Sequence, residues 1–308
     1  MKFYMAPLEG ITTHVFRNAY DSCFIAMDKY FTPFLVPHSK KGFSTREKKE
    51  ILPENNKGLY LVPQIMSNHA DECLKTIEKL QVYGYQEINL NMGCPSKTVV
   101  SKGRGSGFLA YPEELDRFLY EVFEGIANKN MKISVKTRIG KEMPEEFFRL
   151  MDIYSRYPLE ELIIHPRVQK DFYNNIPNLE MFEYGLKTSK NPVCYNGDIF
   201  CVEDVNKIKR RFPSVQTVML GRGIVGNPML LEEILNLGED KKRKIKQFHD
   251  QLYHDYMELG IGEKNVLFKL KEVWCYLGNS FPGNEKVLKK IKKAERLDRY
   301  CAAVSELL

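Results

Sequence analysis

Residues 87–97 read EINLNMGCPSK. Ile88, Leu90 and Met92 alternate with Glu87, Asn89 and Asn91, the two-residue period of a β-strand. The run stops at Gly93-Cys94-Pro95, a turn through which a strand does not continue. A lone cysteine is ordinarily a small buried hydrophobe. Cys94 sits instead at the mouth of a strand, three residues after an asparagine, and seven other runs of the chain end in the same fashion.

Those runs are Phe3–Pro7, Lys29–Leu35, Leu59–Ile65, Lys132–Thr137, Glu161–His165, Pro192–Tyr195 and Thr217–Leu220, each closing in a polar or glycine-bearing loop. Helical patterns separate most of them. Pro112 and Glu113-Glu114 open a stripe of Leu115, Phe118, Leu119, Val122 and Ile126. Pro144-Glu145-Glu146 opens another helix, Asn68 is a candidate cap for a third, and residues 12–26 read as helical. Eight strands alternating with helices predict a (β/α)8 barrel in the α/β class. A doubly wound open sheet is the alternative, but no G-x-G-x-x-G follows the first strand.

Beyond Gly226-Asn227-Pro228 the pattern is helical only. Ile245, Phe248, Leu252, Tyr256 and Leu259 form one stripe, Leu267, Leu270, Trp274 and Leu277 a second, and Val287, Ile291, Ala294 and Leu297 a third. The expected organisation is a barrel over residues 1–237 followed by a small all-α domain over 238–308.

The bulk properties narrow the class. At 308 residues, 43% apolar and 28% charged, the chain is globular with a sizeable core. No apolar run approaches the ~20 residues of a membrane span. The opening MKFYMAPLEG carries charge and glycine too early for a secretory signal. Seven scattered cysteines without a C-x-x-C pair argue against disulfides and against a zinc site, and for the cytoplasm. His249 and His254, in the tail, do not suggest a metal site. The net charge of +6 is uneven: residues 239–308 hold 15 Lys+Arg against 11 Asp+Glu, so +4 lies in the tail and +2 elsewhere. A basic tail points to an anionic partner such as nucleic acid, or to a solvated lysine-rich face.

In a barrel the strand C-termini build the active site. Here they present Leu8-Glu9-Gly10, then Gln64, then Asn91 and Cys94, then Lys136 and Arg138, then His165 and Arg167. Asn196-Gly197-Asp198 and Gly221-Arg222-Gly223 complete the ring. The last two loops stand where barrels hold phosphate, with glycines that permit close backbone approach and an arginine for the charge. Structural turns would use the same glycines. Lys136, inside a strand, needs a negative partner, such as a phosphate-bearing cofactor that becomes anionic on reduction. A Schiff-base lysine is the alternative. His165 is a donor to a bound ring or a core histidine. Cys94 has no adjacent base to lower its pKa, so its thiol, ordinarily near ~8.5, fits a proton donor better than a nucleophile.

Six motifs in this order resemble the tRNA-dihydrouridine synthase family. They are Met5-Ala6-Pro7-Leu8-Glu9-Gly10, Pro63-Gln64-Ile65, Asn89 to Lys97, Val135-Lys136-Thr137-Arg138, Asn196-Gly197-Asp198-Ile199, and Gly221-Arg222-Gly223 with Gly226-Asn227-Pro228. The N-x-N-x-G-C-P-x-K block is the most specific. The resemblance implies FMN as cofactor, NADPH as reductant and tRNA as substrate, whose D-loop uridines become 5,6-dihydrouridine. It implies hydride delivery to C6 and protonation of C5 by Cys94. By resemblance, Pro7 to Glu9 and Gln64 contact the flavin ring, and Lys136 and His165 stabilise its reduced form. Asn196, Gly197, Asp198, Gly221 and Arg222 hold the ribityl chain and phosphate. Asn91, Arg138 and Arg167 are expected beside the uridine. A monomer without membrane or metal partners is expected. Lys289, Lys290, Lys292, Lys293, Arg296 and Arg299 fall mostly opposite the third stripe and form the candidate RNA face.

The chain departs from the family pattern at His165-Pro166-Arg167-Val168, where His-Gly-Arg and a hydroxyl residue are usual. Pro166 removes a backbone N–H beside His165. Asn175 to Leu179 replace the expected Gly-x-Ala-x-Trp, and Arg104 replaces a small residue in the loop after Cys94. Two rival readings are a flavin barrel acting on a small enone or dihydropyrimidine, and an RNA-binding barrel that has lost catalysis. Only the family reading uses the Gly-Cys-Pro block, Lys136 and the basic tail together.

Overall fold

The computed structural model describes residues 1–37, 42–238 and 240–308; Glu239, where the charge count of the tail begins, lies outside them. Among the described residues, nine strands lie in one parallel sheet: β1 (Lys2–Met5), β2 (Lys29–Phe31), β3 (Leu61–Val62), β4 (Gln64–Ile65), β5 (Glu87–Met92), β6 (Lys132–Gly140), β7 (Leu162–Val168), β8 (Val193–Tyr195) and β9 (Thr217–Leu220). The order β3-β2-β1-β9-β8-β7-β6-β5-β4 begins and ends on the two halves of one run, broken at Pro63. β3 pairs with β2, and β4 pairs with β5. Pro63 offers no N–H, yet its carbonyl still accepts from Asn89 N at 2.9 Å. The eight runs of the sequence therefore form a TIM-type barrel, with the third run carrying the closure.

Every residue of β5 is buried, the polar ones included. The alternation separates two interiors rather than core from water. Ile88, Leu90 and Met92 belong to the large core shared with the helices. Glu87, Asn89 and Asn91 point into the barrel. There, Lys29 Nζ donates to both oxygens of Glu87 at 2.9 and 2.8 Å, and Asn89 Nδ2 donates to Ser134 Oγ at 3.0 Å. A smaller apolar cluster of Tyr4, Ala6, Phe31, Val62, Ile163, Cys194 and Met219 plugs the barrel interior.

Helix Pro112–Ile126 buries the five residues of its predicted stripe. Asn68 does not cap helix Ala70–Val82; its Nδ2 donates to Lys102 O instead. The tail forms four helices, Lys241–Glu258, Glu263–Leu277, Glu285–Lys293 and Leu297–Ser305, where the stripes suggested three. The third stripe is broken at Ala294, whose carbonyl leaves the helix and accepts from Lys271 Nζ at 2.8 Å. Ile291, Ala294 and Leu297 are nevertheless all buried. Helix Lys241–Glu258 lies against helix His14–Cys23, with Phe248 edge-on to Phe16 at 5.3 Å. His249 packs in this region, its Nε2 2.8 Å from Tyr300 Oη, which also accepts from Trp274 Nε1. Among the described residues no helix is long and apolar enough to cross a membrane.

Glu161 lies buried near the bottom of the barrel, with Tyr4 Oη donating to it at 3.3 Å. Burial raises its carboxyl to about 7, against the opposing pull of Lys29. A raised carboxyl pKa means that the folded state holds a proton the unfolded chain has released. Stability is therefore lost as pH climbs from about 4.5 to about 7 and stays lost above that window. Glu161→Gln should match the native protein in urea unfolding at pH 5 and exceed it at pH 8, by at most about 3 kcal/mol. Equal stability at pH 8 would show that the carboxylate is well solvated or paired.

Candidate active site

A cavity of about 300 Å³ opens at the C-terminal ends of the strands. Pro7, Leu8, Glu9, Asn91, Cys94, Lys136, Arg138, His165 and Arg222 line it, as do Pro33, Phe34, Tyr173 and Tyr276. The sequence placed the first nine. Pro33 and Phe34 were hidden by the reading of 29–35 as one strand, which in fact ends at Phe31. Tyr276 comes from the tail helix Glu263–Leu277, just off its apolar stripe, and only packing brings it here.

The Gly93-Cys94 turn is gripped on all sides. Asn91 Oδ1 accepts from Gly93 N at 3.0 Å and Cys94 N at 2.9 Å, while Asn91 Nδ2 donates to Gln64 Oε1 at 2.7 Å. Ser106, fully buried, donates its N–H and its hydroxyl to Cys94 O at 3.1 and 2.8 Å. Gly105 makes that approach possible: it adopts φ +55°, and a Cβ there would stand 2.9 Å from Cys94 O. Arg138 donates to Gly93 O at 3.1 Å, Val168 O at 2.8 Å and Phe172 O at 2.6 Å. Phe172 is held at φ +48°, an uncommon conformation for a bulky residue. Gln64 does not line the cavity; its amide is spent on Asn89 and Asn91.

Cys94 carries a thiol pushed above its ordinary range by burial, against the pull of a backbone N–H at Ser96 and of Arg138 and Lys136. Its environment favours the protonated thiol at neutral pH. Lys136, half-buried, makes no hydrogen bond or ion pair among the described residues. Burial and the neighbouring Arg138 lower it to about 8, so it remains mostly an ammonium at neutral pH. An unpaired ammonium turned into a cavity calls for an anionic occupant.

Pro166 sits within β7 directly after His165. A proline in a central strand is tolerated at a bulge, and the β6–β7 register shifts between Arg138 and Gly140. His165 lines the cavity with Nε2 3.0 Å from Arg167 Nη1. Burial and the surrounding Arg138, Lys136, Arg167 and Arg222 hold it far below the usual imidazole range, and therefore neutral. Arg167 is buried, with 1% of its surface exposed, and does not line the cavity. It grips Asp198 with both terminal nitrogens, at 2.8 and 2.5 Å. Arg222 Nη2 reaches the same carboxylate at 2.5 Å, and its guanidinium lies 4.3 Å from the Tyr173 ring centroid. Asn196 is anchored on Met219 O at 2.9 Å. The two glycine loops touch through backbone: a Cβ on Gly223 would fall 1.9 Å from Ile199 O. Gly197 and Gly221 stand in these loops outside the cavity lining. Arg104 is held by Asn68 and Glu72.

The fold and the site define a class: a TIM barrel whose C-terminal rim combines a protonated thiol, an unpaired ammonium and a glycine-lined turn beside an arginine. The sequence pattern of the family described as Dihydrouridine synthase (Dus) matches residues 4–304, and the chain belongs to that family. It is similar to a "Probable tRNA-dihydrouridine synthase" of Staphylococcus aureus (strain MRSA252), 26% identical over 259 residues, covering 81% of this chain and 75% of the relative. It is also similar to "tRNA-dihydrouridine synthase B" of Pasteurella multocida (strain Pm70), 25% identical over 239 residues, 77% of this chain and 70% of the relative. Among solved structures it resembles morphinone reductase, with TM-score 0.54, 12% identity, and coverage of 80% of this chain and 88% of the other. An old yellow enzyme homologue from Zymomonas mobilis gives TM-score 0.52, 13% identity, and coverage of 80% and 92%. At such identities the structures share the fold alone.

The elevated thiol of Cys94 has a direct chemical readout. Its alkylation by iodoacetamide, followed peptide by peptide in mass spectrometry, should go on accelerating as pH rises through 9. A plateau below pH 8 would mark a stabilised thiolate instead.

Proposed function

We propose that this chain is a flavin-dependent tRNA-dihydrouridine synthase that reduces D-loop uridines of tRNA to 5,6-dihydrouridine. Family membership supports the reaction. The observation that carries the reading is one cavity holding both a thiol kept protonated and an unpaired ammonium. These residues fit FMN: Lys136 supplies positive charge, His165 an uncharged donor, and the 196–198 and 221–222 loops the backbone cradle and guanidinium for a phosphate. When bound there, FMN, reduced by NADPH, supplies the hydride for C6 of the uridine.

Cys94 then gives its Sγ proton to C5, and solvent restores the thiol. The Asn91, Ser106 and Arg138 contacts fix where that proton stands, which matters because transfer requires hydrogen-bond reach. Pro7, Leu8 and Glu9 wall the cavity, and Gln64 supports the wall from behind by holding Asn91. Asn91 and Arg138 also line the cavity, with most of their polar atoms already spent within the protein. Tyr173 and Tyr276 also line the cavity.

The barrel, residues 1–237, is the catalytic part in this reading, and residues 238–308 the tRNA-binding part. The proposed setting is a cytoplasmic monomer without a metal. A cleft of about 680 Å³ between the last two helices is lined by Lys290, Lys293, Arg296 and Arg299. Lys290 pairs with Glu306, and Arg296 with Asp298, yet all four basic side chains stay exposed to meet phosphates.

Dihydrouridine formation on unmodified tRNA with NADPH tests the reading. Product from the native protein and a loss of about 10²-fold or more in Cys94→Ala, with flavin retained, are expected. Equal product from both would remove Cys94 as the acid. No product from flavin-loaded native protein on any of several tRNAs would end the synthase assignment. Reversing Lys290, Lys293, Arg296 and Arg299 to Glu should weaken tRNA binding and flatten its dependence on salt, leaving flavin absorbance unchanged. Unaltered binding would place the RNA on another face.

A further inference from the structure

Arg167 stands two residues after His165 on β7, across the bulge at Pro166, and its guanidinium reaches back to the imidazole. Arginine offers only donors. At 3.0 Å from Arg167 Nη1, His165 Nε2 is therefore the acceptor, and the single proton of a neutral ring rests on Nδ1. Nδ1 makes no hydrogen bond to any described residue, and His165 lines the cavity. Arg167 is itself immobilised: its two terminal nitrogens hold both oxygens of Asp198, and its Nε donates to Asn175 O at 2.6 Å. The side chain has no freedom to rotate away, and at 1% exposure it does not present itself to a bound nucleotide.

We infer that Arg167 is a positioning residue, locked by Asp198, that fixes His165 as the Nδ1–H tautomer and so keeps an uncharged N–H donor turned into the cavity. This replaces direct contact with the uridine as the role of Arg167. It rests on the proposed function only for what that N–H meets; the tautomer is a property of the protein alone. The groups that face the imidazole all bear on its state. Arg167, Lys136, Arg138 and Arg222 oppose a second proton on the ring. Asp198 spends its charge on Arg167 and Arg222 rather than on the histidine. Without a donor-only neighbour, the imidazole is free to carry its proton on either nitrogen. A glutamine at 167 offers both a donor and an acceptor and removes the discrimination, whereas a lysine preserves it.

The test is long-range 1H–15N correlation spectroscopy of the full-length protein labelled at histidine, with Arg167→Gln, Arg167→Lys and a His165→Gln variant to assign the resonance. Native His165 should show one protonated nitrogen, Nδ1, from pH 6 to pH 8, with no imidazolium. Arg167→Gln should lose that single-tautomer pattern and populate Nε2–H, and Arg167→Lys should keep Nδ1–H. If Arg167→Gln does not fold, the native protein and Arg167→Lys still decide. Nε2–H or imidazolium in native protein, Nδ1–H unchanged in folded Arg167→Gln, or its loss in Arg167→Lys would overturn the inference. A native protein inactive on tRNA would end the synthase reading and leave this measurement standing.

Discussion

The grip of Arg138 on three backbone carbonyls is the constraint on which the site depends. One guanidinium, 1% exposed, ties the Gly93-Cys94 turn after β5 to the chain that follows β7. The charge is buried at a cost that the carbonyl dipoles offset, and the strained Phe172 backbone is held by the same contacts. Because Arg138 leaves β6 two residues after Lys136, the thiol, the ammonium and the loop that carries Tyr173 keep one fixed relation. A cysteine on a free loop would wander by ångströms; this one is set from both ends of its peptide.

Around that fixed point the barrel is layered by polarity. Its lower end holds Lys29 with Glu87, and Glu161 with Tyr4. A thin apolar layer follows, with Tyr4, Phe31, Ile163 and Met219 among it. The upper layer is amide and cation: Gln64, Asn91, Lys136, Arg138, His165 and Arg167. The apolar layer separates a carboxylate-rich end from a cation-rich one, so the positive charge at the rim goes unneutralised from below. Asp198 answers part of it, with Arg167 and Arg222 sharing that carboxylate, and Asp171 bears on Arg138. The surplus falls on Lys136. Burial first, and this positive surplus second, keep His165 neutral, and the surplus makes an anion the natural occupant of the cavity.

The tail belongs to the site as well as to the surface. Phe248 packs on Phe16 and Phe24, Ser280 Oγ donates to Gly226 O at 2.7 Å, and Tyr276 reaches the cavity. The segment that carries the basic face is tied to helix Glu263–Leu277 by Lys271 Nζ donating to Ala294 O, and that helix reaches the strand ends through Tyr276.

Local sequence determined the elements, because helix and strand periods, prolines at first turns and glycines after strands act within a few residues. The eight runs, the helical tail and the ring Cys94, Lys136, Arg138 and His165 were legible on those grounds. What each polar residue does was not. Asn91, Arg138 and Arg167 read as substrate contacts, yet their donors and acceptors are largely consumed inside the protein by partners 2 to 45 residues away. Pro166 read as a disturbance until the β6–β7 bulge supplied a place for it. Pro33, Phe34 and Tyr276 carried no motif at all. Composition and spacing decide which side chains are available, through forces that act along the chain. Whether a given N–H faces a carbonyl or an open cavity depends on distances across the barrel, and those only the closed sheet fixes.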